Sequence, residues 1–390
     1  MQEYQQNLLE KYIILMIKNI DLFKQYKSIK KDIDRTIYKV IKTTDFVNGK
    51  STKEFEKKFA EYNNIKYCLG VNSGTDALEI AIKSFNFPKN SEIILPVNSF
   101  IATAEAISNN QLKPVFCDCN KNNYSISAKE IIQNINKKTV AIIIVHLYGY
   151  PVNINKIKKI AKKRKLKVIE DCAQAHGAKY KNKKVGTFFD VGTFSFYPGK
   201  NLGAYGDAGA IVSNNKKIYK KCSLIANHGR EDKNEHIIIG RNSRLDGIQA
   251  AILKTKLKYL NKWISKRNLL AQEYFKNLKN LSQIKLPIIN PKSLPSFHQF
   301  VIQAKKRDQL KLFLNKEHIE TNIHYPKTIT QQPAYKENKN YKNAEFFAKN
   351  IISLPIGEHL KISDIKDICL QINKFYEKNF NDNKKRITTR

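Results

Sequence analysis

Three short stretches of this sequence put polar groups where they could act on a bound molecule. The first is V-N-S-G-T-D-A-L, Val71 to Leu78, in which Ser73, Gly74 and Thr75 precede an amphipathic helix. A helix start presents unpaired N–H groups and the positive end of a dipole, and glycine lets backbone approach an anion closely. Such a start could cradle a phosphate, although a Ser or Thr there can equally be a plain helix cap. The second is V-I-E-D-C-A-Q-A-H-G, Val168 to Gly177, where an apolar strand ends on Glu170 and Asp171 and Gln174 follows. A carboxylate at that place could keep a heterocycle nitrogen protonated, and Gln174 could hydrogen-bond a neighbouring oxygen. The acidic pair alone also suits a metal site, an acid–base pair or a turn cap. The third, Phe194 to Ala210, sets Lys200 among Gly199, Gly203, Gly206 and Gly209, with no other Lys or Arg between Lys184 and Lys216. An amine in a poorly hydrated site loses its proton more readily and becomes useful for Schiff-base chemistry. A phosphate cradle, an acidic strand end, and a lysine about thirty residues later form the order expected of a pyridoxal-phosphate enzyme.

These groups need a scaffold. Short apolar runs at Ile93–Pro96, Val115–Cys117, Val140–His146, Val168–Glu170, Gly192–Phe196 and Gly209–Val212 read as buried strands. Amphipathic stretches such as Asp76–Phe85 and Ile154–Arg164 separate several of them, and helical patterning also covers 26–42 and 51–62. This alternation predicts an α/β fold with a mostly parallel sheet, whose chemistry collects at the carboxyl ends of the strands. A long helical pattern runs from Leu245 to about Leu281, and Pro287, Pro291 and Pro295 then mark a boundary. We therefore expect a large cofactor-binding domain over 16–285, a smaller C-terminal α+β domain over 286–380 and a frayed basic tail over 381–390. Met16 opens a natural-looking start, so residues 1–15 are expected to be an upstream extension.

Composition narrows the class. The chain has 390 residues, 42% hydrophobic and 27% charged, values of a globular protein. Its formal net charge of +36 invites a nucleic-acid reading. Only nine of the 70 basic residues are Arg, however, and the lysines are spread along the chain beside abundant Asn and Ile. A general Lys/Asn/Ile bias accounts for this, and no nucleic-acid partner is expected. Cys117 and Cys119 lack a second Cys/His pair, so reduced buried thiols and no metal are expected. The apolar runs Tyr12–Ile17 and Val140–Val145 are too short for a membrane span. A cytoplasmic location without membrane association is the expectation.

The sequence resembles the DegT/DnrJ/EryC1/StrS sugar aminotransferases from about Ile17 to residue 375. The resemblance lies in F-V-N-G at 46–49, N-S-G-T-D-A-L at 72–78, E-D-C-A-Q-A-H-G at 170–177, S-F-Y-P-G-K-N-L-G at 195–203, G-R-N-S-R-L-D-G-I-Q-A-A at 240–251 and I-H-Y-P at 323–326. It implies the aspartate-aminotransferase-like fold (fold type I), with a large domain and a smaller C-terminal one. It implies that Lys200 carries pyridoxal phosphate as a Schiff base and later moves the proton. By the same resemblance Asp171 pairs with the pyridinium nitrogen and Gln174 approaches the ring hydroxyl. Ser73, Gly74 and Thr75 form the phosphate cradle, Ser195 adds a hydroxyl, and Phe100 stacks on the ring. Asn242 would reach the phosphate of a neighbouring subunit, which implies a homodimer with shared active sites. Glutamate would donate the amine, leaving pyridoxamine phosphate, and a keto-sugar nucleotide would accept it. The form of the lysine loop looks like that of members acting on dTDP-3-keto-6-deoxyhexoses, which points to 3-amination in deoxyamino-sugar biosynthesis. Amination of a UDP- or GDP-linked 4-keto-sugar is the alternative, and a non-catalytic regulatory or binding protein of the same fold is a third reading. His324 and Tyr325, with Tyr148, Tyr197 and His298 behind them, are candidates to line the sugar-nucleotide site.

Overall fold

A computed structural model describes residues 16–388. Residues 1–15, expected as an extension, lie outside the described residues.

The central sheet has seven strands: β1 (Tyr67–Val71), β2 (Glu92–Pro96), β3 (Lys113–Cys117), β4 (Thr139–Val145), β5 (Lys167–Asp171), β6 (Val191–Ser195) and β7 (Gly209–Ser213). Their order is β1-β7-β6-β5-β4-β2-β3. Strand β7 runs antiparallel to both neighbours, and the rest of the sheet is parallel. Ile142, Ile143 and Ile144 are all fully buried. That continuous apolar run is what a strand covered by helices on both faces requires. The helices that matter here are α1 (Lys50–Asn63), α2 (Gly74–Ser84), α3 (Ala102–Ser108), α4 (Ile154–Arg164), α5 (Lys216–Ala226), α6 (Gly247–Leu257), α7 (Leu260–Leu278) and α8 (Ile362–Thr388).

The sequence reading placed the inner strands but not β1. Its Y-C-L-G-V is a short edge run interrupted by Gly70, where a side chain would meet Leu245 Cβ at 2.8 Å. The single long helix expected from Leu245 to Leu281 is two. Lys258 N–H donates to the Thr255 carbonyl and Tyr259 N–H to that of Lys256, and these i→i−3 bonds tighten the turn and end α6. Helix α8 continues to Thr388, through most of the segment expected as a frayed tail.

The chain passes from α7 into a second, antiparallel sheet of β8 (Ile284–Lys285), β9 (Phe300–Ala304) and β10 (Ile351–Leu354). Its core joins Phe300, Ile302 and Leu354 to Tyr274 of α7 and to Ile365 and Ile368 of α8. Arg267 of α7 binds this unit to the large one. Its guanidinium is buried, donates to the carbonyls of Phe297 and Ile356, and pairs with Glu358 at 2.9 Å. All six cysteines are buried free thiols. Among the described residues no helix is long and apolar enough to cross a membrane.

Candidate active site

Strand register brings the chemistry together. Val145 of β4 pairs with Asp171 of β5, Asp171 pairs with Thr193 of β6, and Ser195 pairs with Gly209 of β7. The carboxyl ends of β4, β5 and β6 therefore lie side by side, where the open parallel part of the sheet gives access to ligands.

Asp171 is buried at the end of β5. Its carboxylate accepts from the Ala173 N–H at 3.0 Å and from the Thr103 hydroxyl of α3 at 3.3 Å. Burial raises its pKa above the ordinary value, while the Ala173 N–H and the Lys200 charge oppose the rise. Lys200 follows β6 in a tight turn in which its N–H donates to the Tyr197 carbonyl at 2.8 Å. Burial pushes its amine down to about 8, and Asp171 acts in the other direction. Each group therefore acts on the other by charge: Lys200 lowers the proton affinity of Asp171, and Asp171 raises that of Lys200.

The start of α2 borders the same space. Ser73 Oγ accepts from the Asp76 N–H at 3.0 Å, a cap of roughly 1 kcal/mol, and the earlier N–H groups of the turn are left unpaired by helix geometry. A side chain at Gly74 would come within 2.5 Å of Ser195 Cβ, and one at Gly209 within 2.2 Å of the Ser73 carbonyl oxygen. These two glycines let β6, β7 and the helix start close into a cradle with Ser195 at its wall. Phe100, just before α3, leaves 55% of its surface exposed, and its ring centroid is 5.8 Å from that of Tyr325.

Gln174 is buried between one donor and one acceptor. Its Oε1 accepts from the Tyr148 N–H at 2.8 Å and its Nε2 donates to the Tyr325 hydroxyl at 3.0 Å. His324 lies beside Tyr325, bonded through Nδ1 to Ser353 Oγ at 2.8 Å, and burial with the Lys200 charge pushes its pKa down to about 4. Tyr148 is 1% exposed and its hydroxyl is spent on the His324 carbonyl, so it presents nothing to a ligand beyond the wall it builds. His298 is buried beside Asn201, its Nδ1 3.4 Å from Asn201 Oδ1. Tyr197 is 59% exposed and Asn242 is exposed as well. Asn242 follows Arg241, which pairs with Asp76 of α2 at 2.7 Å and with Glu79. Within one chain Phe100, Tyr197 and Asn242 are therefore all accessible.

Three groups near the site escaped the sequence reading. Thr103, in the first turn of α3, donates its N–H to the Phe100 carbonyl at 3.2 Å and is buried with its hydroxyl on Asp171. His176, in A-Q-A-H-G, packs 5.5 Å from the rings of both Phe194 and Phe196, and burial first, then Lys200, pushes its pKa down to about 3. His146 supports Glu170. The Val152 N–H donates to His146 Nδ1, which leaves Nε2 to donate to Glu170 at 3.2 Å. Glu170 also accepts from the N–H groups of Gly186 and Phe188 at 2.7 Å and of Phe189 at 3.1 Å. His146 and Glu170 lie within metal-ligand spacing of Cys172. Their ligand atoms are already taken by protein groups, so the cluster is a brace for the end of β5. Of the roles left open for the acidic pair, Glu170 thus fills the structural one.

The residues present fit pyridoxal phosphate: an anion cradle at a helix start, a buried carboxylate, a buried amine of lowered pKa coupled to it by charge, and an exposed aromatic face. The DegT/DnrJ/EryC1/StrS aminotransferase family profile matches residues 27–373. The chain is 38% identical over 362 residues to dTDP-3-amino-3,6-dideoxy-alpha-D-galactopyranose transaminase of Aneurinibacillus thermoaerophilus, covering 92% of this chain and 99% of that one. It is 35% identical over 338 residues to GDP-perosamine synthase of Escherichia coli O157:H7, covering 84% and 91%. The crystal structure of S. venezuelae DesV in complex with a ketimine intermediate superimposes with a TM-score of 0.91 at 33% identity, over 92% of this chain and 98% of that one.

Proposed function

This chain belongs to the DegT/DnrJ/EryC1/StrS aminotransferase family, and within that pyridoxal-phosphate-dependent, sugar-nucleotide-transaminating family we propose that it aminates a dTDP-3-keto-6-deoxyhexose at the 3-position with glutamate as donor. The observation that carries the reading of the site is Lys200, a buried amine brought down to about 8 by burial and coupled by charge to the buried carboxylate of Asp171.

When bound, pyridoxal phosphate supplies an electron-withdrawing ring that stabilises the charge left when a proton is taken from the substrate carbon. Lys200 is the residue that holds the cofactor covalently in the resting enzyme. With the cofactor and an amine substrate in place, the Lys200 Nζ would be the base that takes the proton from the donor carbon and the acid that returns it. Asp171 is the carboxylate that would hold the proton of the ring nitrogen by charge, a role that the Ala173 N–H and the Lys200 charge support against burial. The N–H groups of Gly74 and Thr75, with Ser73 and the Ser195 hydroxyl, hold the phosphate. Phe100 would cover one face of the ring and exclude water from it. Gln174 would hydrogen-bond the ring hydroxyl; its Nε2 donates to the Tyr325 hydroxyl. Glutamate and the keto-sugar use the same site in turn, so the kinetics are of the ping-pong kind.

The choice of sugar rests on the form of the lysine loop and on likeness to the 3-amino-sugar transaminase at 38% identity. His324, Tyr325 and the exposed Tyr197 are the side chains we assign to the sugar side, with Tyr148 and His298 behind them. The active unit is a homodimer in which Asn242 completes the partner's phosphate site.

The test is visible absorbance of the purified protein with pyridoxal phosphate, before and after glutamate, beside Lys200→Ala. A Schiff-base band is expected in the parent alone, bleached by glutamate and restored by a dTDP-3-keto-6-deoxyhexose. Restoration only by a UDP- or GDP-linked 4-keto-sugar would move the substrate, and a band independent of Lys200 would overturn the site.

A further inference from the structure

Lys256 of α6 is fully buried, an unusual place for an amine. Its Nζ donates to the Gly203 carbonyl at 2.8 Å and stands 4.1 Å over the centre of the Tyr205 ring. Among the described residues no carboxylate forms an ion pair with it. Burial pushes its pKa down to about 7. A hydrocarbon side chain would fill the same space without that desolvation cost, so packing alone does not account for the amine. What it meets accounts for it: an inward-turned carbonyl and an aromatic face, both on the segment that follows Lys200.

Gln249 grips the same segment. Its Oε1 accepts from the Tyr205 N–H at 2.8 Å. Residues 249 and 256 stand about two turns apart, on one face of α6. The lysine turn is folded on itself, with the Ala204 N–H donating to the Phe196 carbonyl at 2.7 Å. Its other side is held by Asn201, which donates to the Ser296 carbonyl at 2.8 Å. Where Lys200 sits therefore depends on two anchors, one toward the small sheet and one on α6.

We propose that Lys256 and Gln249 are positioning residues that fix the loop carrying Lys200, and so the place of its amine. The inference rests on the reading of Lys200 as the reacting group. Lys256→Met, Lys256→Arg and Gln249→Ala test it by two measurements. Hydrogen–deuterium exchange of the cofactor-free protein is expected to quicken across 196–206 in Lys256→Met and Gln249→Ala, with the rest of the chain unchanged. In the loaded enzyme kcat per occupied site is expected to fall about 10- to 100-fold in Lys256→Met, with the KM for glutamate kept. Lys256→Arg, which still offers a donor to Gly203, should regain part of the rate. Should Lys256→Met fail to fold, Gln249→Ala on the half-buried end of the face must show the local exchange and the lower kcat by itself. Parental loop exchange and parental kcat in the folded variants overturn the proposal, as does loosening spread over the whole molecule with normal turnover of the folded fraction. A parent protein that shows no Lys200-dependent absorbance would instead remove the reading on which it rests.

Discussion

The amine of Lys200 is set by two opposed influences, and they can be separated by substitution. Burial takes its proton affinity down to about 8, and the Asp171 carboxylate raises it. Asp171→Asn removes only the second, so the amine is expected to lose its proton at a still lower pH. In cofactor-free protein the rate of acylation of Lys200, followed by mass spectrometry, should rise with pH through about 8 in the parent and through a lower midpoint in the variant. A midpoint that stays or rises would mean that the carboxylate does not act on the amine. Lys200 was legible in the sequence because its charge stands alone in a glycine-rich stretch of a lysine-rich chain. Lys256 was not, since along the sequence it is one more lysine in K-T-K-L-K, and only the fold shows that it alone of these turns fully inward. His176 and Thr103 were hidden for a related reason: a neutral imidazole against phenylalanines and a hydroxyl on a carboxylate acquire meaning only through neighbours distant in sequence.

At the scale of elements, the inner strands could be read because burial on both faces forces unbroken apolar runs. Strand β1 could not, since Tyr67 and Leu69 are only half-buried and Gly70 interrupts its short apolar run. The division of α6 from α7 was equally unreadable, because the tightened turn at Lys258 contains neither Gly nor Pro. The cradle, by contrast, was legible as S-G-T before a helix, although what closes it was not: Gly74 touches Ser195 from a strand far along the chain. That contact makes a sharp test. Gly74→Ala adds a methyl within 2.5 Å of Ser195 Cβ and must push the helix start away from β6. Overpacking of this kind costs about 1–3 kcal/mol, and the expected outcome is weaker retention of pyridoxal phosphate with an unchanged far-ultraviolet circular dichroism spectrum. A fluorescence titration measures it, and parental affinity would show that the cradle does not hold the phosphate.

At the scale of the whole molecule, Phe100, Tyr197 and Asn242 are all exposed within one chain. If Asn242 serves the neighbouring subunit, lesions in the two residues should complement. A heterodimer of Lys200→Ala and Asn242→Ala chains carries one site with both lesions and one with neither. Mixing the two variants under subunit exchange, at limiting cofactor, is expected to give more activity than the sum of the separate proteins. No gain would place Asn242 in its own chain's site. The burial of every cysteine has a practical corollary for following such exchange. Folded subunits offer a maleimide nothing to attack, and burial raises the affinity of these thiols for their protons as well. A single cysteine introduced at an exposed surface position would then take a fluorophore alone. Two dyes on two batches of protein would report assembly by energy transfer, with no native thiol to remove beforehand.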